Sequence, residues 1–323
     1  MGSSSSTGVV DEADYEIRNF GLPTGYKLPR CRKLRLVNNN NSNTVQCFTL
    51  KKFDGSVLRR DTVSIHADSS CGSVLNTGDG FCQGCTSVTY LNLVGMCSLS
   101  TIGPSFCYGC THLTRITISE TMPQNNNSLA YIGDSFCVGC TSLISLNLSG
   151  MTSLKTIESS FCRACLSLTT LDLSGNDRLT AIGDDFCSGC TSLEVLHLSR
   201  TASSSSSCSS ALTIGNSFCE DCTSLSDLAG LGVACSTASI GNSFCSGCVS
   251  LINLDFTAKS PSLTSIGCNF SFKCASLSSL SLSGMTMLSS VGGGFCTGSV
   301  SLTRLDVSGL PRCATTDLNV RRI

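Results

Sequence analysis

Nine phenylalanines, Phe81, Phe106, Phe136, Phe161, Phe186, Phe218, Phe244, Phe270 and Phe295, stand 25, 30, 25, 25, 32, 26, 26 and 25 residues apart. A period in this range, sustained over most of a chain, marks stacked repeats and outranks local patterns, because one such unit is too small to bury its own apolar side. The unit is clearest at Ile132-Gly133-Asp134-Ser135-Phe136-Cys137-Val138-Gly139-Cys140-Thr141-Ser142-Leu143-Ile144-Ser145-Leu146-Asn147-Leu148-Ser149-Gly150.

Its two halves have different periods. Phe136, Cys140 and Leu143 fall four and three apart, the spacing of one face of a helical turn, with Cys137 at the border. Leu146 and Leu148 alternate with Ser145 and Asn147, which is strand spacing with one face buried. Gly150 ends the strand, and Leu154 and Ile157 lead into the next turn. The expected fold is an α/β solenoid: a parallel strand ladder on the concave face, short helical or 3-10 turns on the convex face, and a core of Phe, Cys, Leu and Ile. Nine coils at about 4.8 Å per strand give a rod roughly 40 Å long.

The run Leu-x-x-Leu-x-Leu at 143–148 is the leucine-rich-repeat signature. More closely, Ile-Gly-Asp-Ser-Phe-Cys-x-Gly-Cys-Thr-Ser-Leu-x-x-Leu-x-Leu resembles the BspA-like repeat of protist and bacterial surface proteins. That family usually reads Ile-Gly-x-x-Ala-Phe-x-x-Cys-x-x-Leu, so large and small residues have traded places at Phe136-Cys137. The resemblance implies a non-enzymatic leucine-rich-repeat scaffold that binds another protein, and, since many members are surface antigens or adhesins, an extracellular alternative. The stretch Cys140-x-x-Leu143-x-x-Leu146-x-Leu148 also resembles the repeats of F-box adaptors of ubiquitin ligases. Those carry a further Cys after the strand; only Cys97, after Leu93, matches, and the amino-terminal segment does not read as an F-box.

In chain order, 1–20 reads as a disordered polar amino terminus, 21–77 as a cap with a degenerate repeat, 78–310 as nine leucine-rich repeats and 311–323 as the exit and cap. Phe53, Val63 and Ile65 keep repeat spacing in the cap without the paired cysteines. Insertions follow the strands of two repeats, at 120–127 and in the serine-rich stretch 200–207, and should project from one edge. In the sixth unit Leu228-Ala229-Gly230 replaces the Leu-x-Leu pair, so a weakened strand or a kink is expected there. The start Met1-Gly2-Ser3-Ser4-Ser5-Ser6 fits the spacing for myristoylation of Gly2. Nine of the 21 basic residues lie in 27–60 with Asp54 as the only acid. A lipid plus such a patch would give a weak hold on the inner membrane surface, although charge runs usually just solvate a face. No apolar secretion core is seen near the start, and the expected location is cytoplasmic, peripheral at the membrane if Gly2 is lipidated, with the cell surface as the alternative.

The chain has 24 cysteines. Seven repeats carry Cys-x-x-Cys, from Cys82/Cys85 to Cys245/Cys248; the eighth has Ser271 and Cys274, the ninth Cys296 and Ser299. Buried packing, disulfides and zinc compete as explanations. Packing is favoured, because the pairs lie on the inner face of every coil while a four-sulfur site needs two converging loops. No cofactor is expected. A tuned redox thiol needs cations and solvent access, which seven identical apolar settings do not offer.

No catalytic set emerges. His112 and His197 read as surface substitutions, and His66 lies in the cap. A net charge of −1 with 13% charged residues demands no nucleic acid. What varies is the outward side of the strand ladder, and partner contacts are expected there from Tyr90, Asn92, Arg115, Asn147, Asp172, His197, Asp255, Arg304 and Asp306, with the protein a monomer. The bland alternative is a merely soluble face rich in Ser, Thr and Asn. Asn126 and Asn147 lie in Asn-x-Ser sequons, but Asn147 is on a strand face.

Overall fold

The computed structural model describes residues 15–18, 33–37, 64–67, 71, 74–118, 128–198, 211–228, 237–256 and 263–311. Gly2, most of the basic segment 27–60, Asn126, both insertions and the exit segment beyond Pro311 lie outside the described residues.

Two parallel ladders run along the coils. The first uses the Leu-x-Leu segments: Tyr15–Arg18, Lys33–Val37, Ser64–Ala67, Tyr90–Asn92, Arg115–Thr117, Ser145–Asn147, Thr170–Asp172 and Val195–His197, each paired to the next. Its first strand lies inside the segment 1–20 that was expected to be disordered, and is paired in register, Tyr15 to Leu34 and Arg18 to Val37. From Ser64–Ala67 onward the inward residues Ile65, Leu91, Ile116, Leu146, Leu171, Leu196, Leu254 and Leu280 are buried, and Leu305 of the last strand is partly buried against the same core. Between Val195–His197 and Asn253–Asp255 the ladder is reduced, among the described residues, to a single bridge from Val195 to Asp227. It then resumes as a separate sheet of Asn253–Asp255, Ser279–Ser281 and Arg304–Asp306. The break falls at the sixth unit, where the Leu-x-Leu pair is missing.

The second ladder was not foreseen. Short strands from Thr101–Ile102, through Thr156–Ile157 and Ala181–Ile182, to Ser290–Val291 form a continuous eight-stranded parallel sheet. Its isoleucines point inward, and the glycine that follows in most coils, as at Gly183, sits where coils approach too closely for a side chain. A Cβ at Gly183 would lie 2.5 Å from the Ser159 amide nitrogen of the preceding coil.

The expected helical or 3-10 turns are absent: no helix occurs in the described part of the repeats. The Phe-Cys segment is a chain of tight turns, in which Cys140 donates to the Cys137 carbonyl and Leu143 to that of Cys140 (3.1 and 3.0 Å). Ser135 and Gly139 hold left-handed φ of 57° and 69°, which a continuing right-handed helix does not allow. Alternate amides instead reach the next coil: Ser135 to the Ser159 carbonyl, Cys137 to Phe161 and Gly139 to Arg163, at 2.8–2.9 Å. Tight turns also bring residues three and four apart together, so the apolar spacing imitates a helix.

The phenylalanines form a single stack. Neighbouring rings lie 4.8–5.2 Å apart and within 10° of parallel from Phe81 to Phe295. Beside them runs a thiol column. The first cysteine of a pair donates to the Phe carbonyl of the next coil, as Cys187 Sγ to Phe218 (3.2 Å), and the second donates to the first-cysteine carbonyl of the previous coil, as Cys222 Sγ to Cys187 (3.1 Å). Ser271 and Ser299 keep both bonds with hydroxyls, to Phe295 (3.0 Å) and Ser271 (2.7 Å). The position therefore asks for a small side chain with one hydrogen to donate. Burial holds the thiols of Cys107, Cys162, Cys219 and Cys245 well above the ordinary range.

Candidate partner-binding face

The outward positions of the first ladder form two rows, because strand pairing is in register from Ser64 through Val195. The row nearer the strand starts carries Tyr90, Arg115, Ser145, Thr170 and Val195, then Asn253, Ser279 and Arg304 in the second sheet. The other carries Asn92, Thr117, Asn147, Asp172 and His197, then Asp255, Ser281 and Asp306.

The second row has structural work. The Asn147 side-chain oxygen accepts the Ser149 amide at 2.8 Å. Asn92 does the same for Val94, Asp172 for Ser174 and Asp306 for Ser308 (2.9, 2.8 and 3.0 Å). Each is an Asx-turn that satisfies a backbone donor where the strand ends, and in three of the four the chain then swings toward a left-handed glycine. Gly150, Gly175 and Gly309 take φ of 68°, 73° and 80° there. The Ser308 amide and hydroxyl hold the Asp306 carboxyl below the usual carboxylate range. Asn92, Asn147, Asp172 and Asp306 thus shape the edge of the face as well as lining it.

The first row is freer, and its amino-terminal end carries a distinct cluster. The Tyr90 ring meets His66 edge-on at 5.2 Å and 79°, and the Arg115 guanidinium lies 5.7 Å from the Tyr90 ring centre. The Tyr90 hydroxyl is 3.4 Å from Thr117 Oγ1. Tyr90 and His66 are half-buried and Arg115 is exposed. By sequence His66 belongs to the cap; its register opposite Asn92 on the neighbouring strand is what brings it to Tyr90. His197 and Asp255 are exposed, distant in register from this cluster, and Arg304 and Asp306 sit on the last coil.

Serine and threonine beside the strands also have a role that composition hid. Thr114, Thr169 and Ser278 hydroxyls donate to the Thr89, Ile144 and Ile252 carbonyls of the preceding coil at 2.9–3.1 Å. Ile144 and Ile252, in the same row, are left 53% and 49% exposed at the rim of the face. No cluster of three or more metal-ligating side chains occurs among the described residues.

A sequence model described as "BspA type Leucine rich repeat region" matches in six copies, over residues 123–210 and 201–310. No curated protein matches the chain. Solved structures that resemble it include a leucine rich cell surface protein from Faecalibacterium prausnitzii, 14% identical over 94% of this chain and 90% of that one, with a TM-score of 0.35. A T. pallidum leucine rich repeat protein is 20% identical over 67% of this chain and 78% of its own, with a TM-score of 0.41. A Bacteroides ovatus leucine-rich repeat protein is 17% identical over 90% and 86%, with a TM-score of 0.32.

Proposed function

Because the chain belongs to the BspA-type leucine-rich-repeat family, we propose that it is a non-enzymatic scaffold that grips a protein partner on the outward face of its first ladder. The observation that carries this is the Tyr90–Arg115–His66 cluster. Tyr and Arg are the residue types that most often dominate protein interfaces, since each offers a large contact area with a polar end. Around the cluster the face supplies short polar side chains already ordered by turn and strand bonds, so little conformational freedom remains to be lost on binding. Arg304, Asp255 and His197 extend the same face toward the other end.

The thiol column supports a reducing compartment. A disulfide would remove the hydrogens that Cys187 and Cys222 donate to backbone carbonyls.

The test is affinity capture with the full chain as bait. A partner bound by wild type should be lost with the Tyr90→Ala, Arg115→Ala double variant and retained with Lys155→Ala, an exposed residue beside the second ladder. A partner set unchanged by the double variant refutes this assignment of the face, and robust turnover abolished by either change refutes the non-enzymatic reading. A Gly2→Ala bait in the same experiment scores the membrane association proposed for the amino terminus.

A further inference from the structure

The last described coil ends with an edge that matches itself. In Arg304–Asp306, the Arg304 amide donates back to the Ser278 carbonyl (3.1 Å) and the Asp306 carbonyl accepts from the Leu282 amide (2.8 Å). Strand alternation then turns the N–H and C=O of Leu305 outward. The coils before it show what lies on that side: the Thr303 carbonyl occupies the place of the Ser278 carbonyl, and the Val307 amide the place of the Leu282 amide. Among the described residues none of these four groups has a backbone partner beyond the coil. The forward-pointing amides of Gly294, Cys296 and Gly298, whose counterparts in coil eight donate to Gly293, Phe295 and Thr297, end at the same place. Val300, on the same coil, is 83% exposed.

We propose that this edge joins a second copy of the chain across a twofold axis through Leu305, by antiparallel addition of one Arg304–Asp306 strand to the other. The hydrogen-bond frame fits. Leu305 meets Leu305 of the second copy as a hydrogen-bonded pair exchanging N–H and C=O, and the Thr303 carbonyl meets the second copy's Val307 amide on either side. The charges fit as well. In that register Arg304 faces Asp306 of the second copy, twice, at the non-hydrogen-bonded sites where side chains come closest. The sequence Arg-Leu-Asp is self-complementary only in the antiparallel sense, which is the requirement of an isologous interface. An exposed parallel edge is otherwise a template for uncontrolled pairing, and closing it on itself covers the edge of the last described strand. The proposal replaces the monomer expected from the sequence and is independent of the partner cluster around Tyr90.

The experiment is sedimentation velocity on the full chain across a concentration series. Wild type should show a reversible dimer. Asp306→Arg and Arg304→Asp, each placing like charges opposite one another twice, should each raise the dimer Kd by about tenfold or more. The Arg304→Asp, Asp306→Arg double variant should restore dimerisation. Arg304→Asp leaves the Asp306 turn intact, and circular dichroism confirms that each variant is folded. A wild type that stays monomeric at every concentration overturns the proposal. So does a dimer indifferent to both single reversals, or one that the double swap fails to restore.

Discussion

Raising the pH should unfold this protein through its interior. The thiols of Cys107, Cys162, Cys219 and Cys245 are buried and pushed well above the ordinary value. In the unfolded chain they titrate near about 8.5. A thiol with a raised folded pKa binds its proton more tightly when folded. Its contribution is therefore complete below the unfolded value and is lost as pH rises from there toward the folded value. Each costs about 1.4 kcal/mol per pH unit in that window, so these four together remove about 5.5 kcal/mol per unit. Against a total stability of about 5–15 kcal/mol, a loss at that rate is large enough to unfold the chain in alkaline solution. Urea unfolding from pH 7.5 upward measures this, with thiolate absorbance followed in parallel. The urea midpoint should fall steeply above about pH 8.5, and the thiolate signal should rise with unfolding. Alkylation after denaturation under non-reducing conditions should find all 24 cysteines free. A midpoint that stays flat to pH 10 would refute the reading that these four buried thiols keep their protons in the folded protein.

Two further substitutions test the core. Phe186 is fully buried with rings 5.1 and 5.0 Å away on either side, and Phe186→Ala should cost about 3–5 kcal/mol by leaving a hole in the stack; a loss below about 1 kcal/mol in equilibrium unfolding would mean the coils do not depend on it. Asn176 is buried with neither side-chain polar atom bonded, at the position Met151 and Met285 fill in other coils, so Asn176→Met should stabilise by about 1–3 kcal/mol. Thermal unfolding that shows destabilisation instead would mean the amide has a partner in solution.

The sequence carried the period, the inward Leu-x-Leu pairs and the burial of the cysteines, because each follows from a hydrophobic repeat that only stacking can satisfy. The single described bridge at Asp227 agrees with the missing pair at Leu228-Ala229-Gly230, of which Ala229 and Gly230 lie outside the described residues. The turn was misjudged as helix because Phe136, Cys140 and Leu143 have a spacing common to both. Gly139 and its counterparts Gly109 and Gly189 were the available clue, since left-handed positions favour glycine. The second ladder offers only two residues in most coils, too few for a period to show. On the candidate face, alternation identified which residues point outward. It could not separate Asn147 and Asp172, which brace turns, from Tyr90 and Arg115, whose cluster depends on His66 from a coil whose repeat pattern is degenerate.

The interruption at the sixth unit divides the first ladder while the phenylalanine stack and the second ladder run past it unbroken. The molecule is built like a book: a continuous spine with two covers of unequal width. A ligand lying across both must bridge two separate rows of strands, and one confined to the wider cover, where Tyr90 sits, meets strands hydrogen-bonded in one sheet through to Val195–His197.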